Sequence, residues 1–231
     1  MKRTMANFNS QISEFWNEVQ QIYDPIQKET DLSYYVFQTS YKYNPDLMII
    51  GINPGGEYGS EKYLVNKIAE QGKFKNMYID WMYGQNPDKT VNEWFNTLCS
   101  VFDYPNNPEL KRVLENTVGT NCCYLNTGSV KGMNERYDAK TFFLESKNLV
   151  KKLVSIIQPK KILTLGEIPF DNVRDKKVEL IAVNTLNNIK SSFAGSIPVY
   201  NIPNPSRINK NQYYAGQKLI DYQNCLAKLL M

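Results

Sequence analysis

Four short apolar runs constrain what this chain can fold into: residues 47–50 (LMII), 121–126 (NCCYLN), 161–166 (KILTLG) and 197–202 (IPVYNI). Each is too short for a helix, is bounded by polar, Gly or Pro residues, and carries little polar alternation, the pattern of a strand buried on both faces. The stretches between them are too long for hairpin turns, and 91–102, 140–157 and 211–230 show helical periodicity. A leading helix is expected over 8–23, where Phe8, Ile12, Phe15, Trp16, Val19 and Ile22 fall on one side and Asn9 or Ser10 stands ready as a cap. Strands separated by helices imply a parallel sheet covered on both faces. The fold expected is α/β, a three-layer α/β/α sandwich around a central, mostly parallel four-stranded sheet, with 178–183 offering a shorter edge strand. The 231 residues, 42% of them hydrophobic, suffice for one domain spanning 1–231.

The residue inventory removes several chemistries. There is no histidine, and Cys99, Cys122, Cys123 and Cys225 have no C-x-x-C spacing, so the usual zinc and iron–sulfur motifs are missing. Every mechanism with an imidazole base is excluded as well. Four thiols in a chain of this length read as small buried apolar groups in a reducing compartment. Met1-Lys-Arg-Thr has no apolar run behind it, and no stretch approaches the roughly 20 apolar residues of a bilayer span. A soluble, cytoplasmic monomer that needs no cofactor or metal and no membrane is expected. The net charge of +4 permits a polyanionic partner without requiring one.

In parallel sheets ligands bind beyond the carboxyl ends of the strands. Those ends carry Gly51-Ile52-Asn53-Pro54-Gly55, then Asn121 with Leu125-Asn126-Thr127, Leu165-Gly166-Glu167, and Pro203-Asn204-Pro205-Ser206-Arg207. The first loop lacks the Lys-Ser/Thr of a Walker A loop and the G-x-G-x-x-G spacing, which argues against a nucleoside triphosphate or dinucleotide.

The pairing of "GINPG" after the first run with "IPNPSRIN" after the last, followed by a long final helix, resembles the uracil-DNA glycosylase superfamily, and within it the mismatch-specific uracil/thymine branch. The likeness spans roughly residues 46–230 by strand order, with motif-level support in some 20 residues. It implies a DNA glycosylase that hydrolyses the N-glycosidic bond of uracil or a related damaged or mismatched base in base excision repair. Asn53 would hold and orient the attacking water, and Asn204 would stand where other branches place histidine. Gly51, Ile52, Pro54, Gly55 and Tyr58 would line the base pocket, with Asn126 or Asn121 reading the base edge. Pro205, Ser206, Arg207, Ile208 and Asn209 would engage DNA, Arg207 and Ile208 as a wedge into the space left by a flipped nucleotide. No lysine lies inside either motif, so a monofunctional enzyme without a Schiff base is implied.

The chain departs from that branch in two places. Arg207 replaces the glycine that usually follows N-P-S, and a charged, Tyr-rich stretch over 57–88 replaces the small-residue segment leading to a stacking phenylalanine. Tyr58, Tyr63, Phe74, Tyr78 and Trp81 are the candidates for that stacking. A non-catalytic DNA-, nucleotide- or protein-binding member of the same fold is the alternative, and an unrelated α/β enzyme on a phosphorylated substrate is a third. Structurally, Asn53-Pro54 also reads as ordinary turn punctuation, and Ser206 or Asn209 as a cap of the last helix.

Overall fold

A computed structural model of the chain describes residues 5–30, 34, 36–52, 89–125, 139–175, 177–183, 186–205 and 214–231. The described strands are β1 (Met48–Gly51), β2 (Val118–Asn121), β3 (Ile162–Leu165), β4 (Glu179–Val183), β5 (Leu186–Ala194) and β6 (Ile197–Ile202). They form one sheet in the order β2-β1-β3-β6-β5-β4. The first three pairings are parallel and the last two antiparallel. The sheet is therefore six-stranded and mixed, not four-stranded: the four expected runs supply its parallel part, and a β4–β5 hairpin extends it beyond β6.

Two adjacent apolar layers follow from the period of two along each strand. Met48 and Ile50 of β1 pack with Val118, Ile162 and Val199 against α1 (Met5–Thr30), α4 (Ala139–Ile157) and α5 (Glu167–Val173). Leu47 and Ile49 pack with Leu163, Leu165 and Ile202 against α2 (Lys89–Val101), α3 (Pro108–Glu115) and α6 (Gly216–Leu230). Helices thus cover both faces, and β1 is completely buried along its length. Each fully buried aliphatic side chain on these faces contributes about 1.5–3 kcal/mol.

Three local expectations change. The second strand is Val118–Asn121, so the run at 121–126 begins where the strand ends; residues 122–125 are buried by packing beyond the sheet. The leading helix starts at Met5, which places Asn9 and Ser10 inside it and removes both as caps. The helix α3 was not anticipated, although its start is marked: the Asn107 side chain accepts from the N–H groups of Glu109 and Leu110, each at 3.1 Å, with Pro108 at the first helical position. The charged, Tyr-rich stretch over 57–88 lies outside the described residues.

The outer side of β2 is covered by the chain that follows α1. Gln38 N–H donates to Gly119 O (2.8 Å), Gly119 N–H to Thr39 Oγ1 (2.8 Å) and Thr120 Oγ1 to Val36 O (2.6 Å). These bonds satisfy backbone groups that an uncovered edge would leave to a foreign strand.

At the amino-terminal pole Asp46 receives Lys160 Nζ at 2.6 Å and stands 3.6 Å from Arg112. The Lys160 hydrogen bond, aided by the charges of Lys160, Arg112 and Lys42, holds the Asp46 carboxyl below its ordinary range. A depressed carboxylate adds stability above the unfolded value near pH ~4 and loses it as pH falls through the folded one. All three side chains are more than a third exposed, so the contribution is screened to less than about 1 kcal/mol. Asp46→Asn is accordingly expected to lower urea-unfolding stability slightly at pH 7, and by progressively less as the pH falls below ~4.

Candidate functional site

The parallel strands β2, β1, β3 and β6 end at one crest, and the residues that follow them interlock there. Cys122 N–H donates to Gly51 O and Cys123 N–H to Ile52 O, both at 2.9 Å, while Gly166 N–H donates to Ile202 O at 2.8 Å. The Tyr214 hydroxyl, just ahead of α6, donates to Pro203 O. These crest carbonyls each hold a protein donor.

Gly166 sits at φ 100°, a left-handed conformation that favours glycine, and turns the chain from β3 directly into α5. A Cβ at this position would lie 3.7 Å from Asn204 Cβ and 3.9 Å from the Ile52 Cδ1 methyl. The ends of the two motifs, carried by β1 and β6 on either side of β3, therefore meet over Gly166.

Asn121 closes β2 directly opposite Gly51 in the parallel register. Its side chain is 1% exposed, and its Nδ2 has no hydrogen-bond partner. Leaving a buried amide donor unsatisfied costs about 1–3 kcal/mol, a cost that calls for a functional explanation. Gly51 makes room for it, because a Cβ there would fall 2.5 Å from Asn121 Oδ1. Asn204 is oriented from α2: Trp94 Nε1–H donates to its Oδ1 at 2.7 Å.

Behind the crest a polar chain joins three strands. Thr164 Oγ1 donates to Asn201 Oδ1 (2.9 Å), Asn201 Nδ2 to Glu167 Oε1 (3.2 Å) and Lys190 Nζ to Glu167 Oε2 (2.7 Å). The Glu167 charge is thereby matched by Lys190, and the buried Thr164 and Asn201 are satisfied between β3 and β6.

The thiols that leave β2 are not nucleophiles. Burial pushes Cys122 up to about 12 and Cys123 well above its ordinary value. Both stay protonated at neutral pH, and the thiolate is the reactive form. All four cysteines are buried, and none forms a disulfide. Among the described residues no group of three or more His, Cys, Asp or Glu could hold a metal ion, and no helix is long and apolar enough to cross a membrane.

Of the residues expected from sequence, Gly51, Ile52, Asn121 and Asn204 are brought to this crest, and Pro205 is buried beside it in the chain. Asn53, Pro54, Gly55, Tyr58, Asn126, Ser206, Arg207, Ile208 and Asn209 lie outside the described residues, as do Tyr63, Phe74, Tyr78 and Trp81. Trp94 was missed, because it stands on an amphipathic helix far from any motif, where a tryptophan reads as core. No family model matches this sequence, and no curated protein matches it.

Proposed function

We propose that this chain is a monofunctional DNA glycosylase, hydrolysing the N-glycosidic bond of uracil or a related damaged or mismatched base. The observation that carries the reading is that Ile52 and Asn204, the described parts of the G-I-N-P-G and N-P-S motifs, meet over Gly166. The parallel order β2-β1-β3-β6 supports a uracil-DNA glycosylase-like core, with the β4–β5 hairpin as an addition to it.

The chemistry asks for a water aimed at the sugar C1′ and for donors facing the base as it departs with negative charge. Asn53 follows Ile52 directly and supplies a carbonyl that orients water. The buried Asn121 amide supplies a donor to a base oxygen, which explains why its Nδ2 lacks a protein partner. In this reading Asn121, with two strands between its own and the one that leads to Asn204, reads the base, with Asn126 as the competing candidate. The segment Pro205 to Asn209 grips DNA, with Ser206 on phosphate and Arg207 and Ile208 filling the place of the flipped nucleotide.

The test incubates the purified chain and Asn53→Ala with labelled oligonucleotides carrying U:G, U:A, T:G or single-stranded U, then cleaves abasic sites with alkali. Base release that disappears in the variant supports the enzyme and names its substrate. Silence across the panel with DNA binding intact would replace it by a binding protein on the same scaffold.

A further inference from the structure

We infer that the amino-terminal pole, at the other end of the parallel strands from the crest, binds a small phosphomonoester with an apolar body. This site is separate from the crest and stands or falls without the glycosylase reading. A cleft of about 280 Å³ lies there, and its lining joins five charged residues, Asp46, Glu109, Arg112, Lys160 and Lys161, to the apolar Val113, Leu230 and Met231. Small-molecule sites combine an apolar lining with a few placed polar groups in this way.

The charges at the cleft do not balance. Lys160 bonds Asp46 at 2.6 Å, Arg112 stands 3.6 Å from it, and Lys42 and Lys161 also interact with its charge. Glu109 forms no ion pair with any of the four among the described residues. Four cations thus face two carboxylates, an excess of two. A phosphomonoester carries about −1.5 to −2 near neutral pH and meets that excess.

Lys161 is the cation left over. Among the described residues its ammonium has neither a hydrogen bond nor an ion pair, whereas Lys42 donates to Asn116 Oδ1 at 3.3 Å. Burial holds the Lys161 ammonium below its ordinary value; Asp46 works against that shift and the like charge of Lys160 adds to it. A bound anion answers the repulsion. The two lysines are set in place by backbone bonds, since Lys160 N–H donates to Pro45 O and Met48 N–H to Lys161 O, both at 3.0 Å. The basic side of the cleft is therefore organised before a ligand arrives, which reduces the entropy lost on binding. On the apolar side Val113 of α3 and Leu230 of α6 are buried, and Met231 is 56% exposed, leaving surface for the ligand's body to cover.

The test titrates the full chain with phenyl phosphate, inorganic phosphate and benzyl alcohol at constant ionic strength, following amide 1H–15N shifts and thermal unfolding. Phenyl phosphate is expected to shift the amides of Val113, Lys161 and Leu230 and not those of Gly51 and Gly166, to raise Tm, and to bind about tenfold more tightly than inorganic phosphate. Benzyl alcohol is expected to leave both readouts unchanged. Lys161→Gln should weaken phenyl phosphate about tenfold, as the loss of a charge-assisted hydrogen bond does. Asp46→Asn should tighten it by about threefold, because Lys160 and Arg112 lose their competing carboxylate. A merely structural role for these residues predicts losses in both variants, so the opposite signs identify a site.

Equal affinity for phenyl phosphate and inorganic phosphate would reduce the cleft to an adventitious ion only. Unchanged phenyl phosphate affinity in Lys161→Gln, or shifts confined to Gly51 and Gly166, would move the binding elsewhere and overturn the inference. Shifts of the same amides by a single-stranded oligonucleotide at lower concentration than by phenyl phosphate would replace the small ligand by nucleic acid.

Discussion

Tyr23→Ala is expected to lower the unfolding free energy by about 3–5 kcal/mol, the range for deleting a fully buried aromatic side chain. Domains of this kind have about 5–15 kcal/mol in total, so the loss would bring the chain close to unfolding at physiological temperature. The size follows from what Tyr23 joins. Its ring is 0% exposed on α1 and lies 5.1 Å from Tyr34 and 5.5 Å from Tyr124, centroid to centroid. Its hydroxyl shares a hydrogen bond with Ser146 of α4 (3.0 Å) and accepts the backbone N–H of Tyr124 (3.3 Å). Burial, the largest cause, raises its pKa well above the ordinary phenol value, so the hydroxyl stays neutral throughout the working pH range. Tyr23→Phe keeps the ring and leaves the Tyr124 N–H without this acceptor, a smaller loss of about 1–3 kcal/mol. Equilibrium urea unfolding of the two variants should show this order, and equal losses would assign the whole effect to the hydroxyl.

The second large effect is at Gly51. Gly51→Ala places a methyl 2.5 Å from Asn121 Oδ1 and 3.9 Å from Thr120 O, in a strand with no exposed residue. The first separation is shorter than any non-bonded contact, and the Asn121 side chain is too enclosed to swing aside without disturbing its neighbours. Overpacking of this kind costs about 1–3 kcal/mol. Base release should fall together with stability, since the amide proposed to read the base is the group displaced. The clash has a single partner, so Gly51→Ala combined with Asn121→Ala should recover most of the stability and none of the activity. A double-mutant cycle measures this directly, and additive losses would show that the methyl meets something other than Asn121.

Much of the crest is legible in the sequence because it is built from strand ends. The runs at 47–50, 161–166 and 197–202 are apolar on both faces, and each matches its strand within a residue or two. The second strand is different. Val118-Gly-Thr-Asn121 contains glycine, a hydroxyl and an amide, while the stronger apolar signal of Cys122 to Leu125 marks burial against α1. Thr120 tolerates complete burial because β2 lies beneath residues 36–39, where its hydroxyl donates to Val36 O, a tertiary contact that no local pattern announces. The strand β5, Leu186–Ala194, was overlooked because Asn187, Asn188, Lys190, Ser191 and Ser192 hide it; the signal available was Gly195-Ser196, a two-residue turn with Gly195 at φ 60° that suits a hairpin into β6. The Trp94 bond to Asn204 joins residues 110 positions apart, and such a pairing follows from the fold and not from spacing.

The strand order also determines when the crest can exist. β1 is synthesised early, but Leu47 O meets Thr117 across 70 residues of chain, and Asp46 meets Lys160 across 114. At about 5–20 residues per second, the ribosome delivers β3 on the order of ten seconds after β1. Until β2 follows, 70 residues on, Met-Ile-Ile-Gly, apolar on both faces, has neither parallel neighbour to pair with, and it lacks the second until β3 is made. Non-local parallel pairing is slow and aggregation-exposed for this reason. The strand that ends in the proposed catalytic loop is therefore the one most in need of shielding during synthesis, and losses in yield on fast overexpression should originate there.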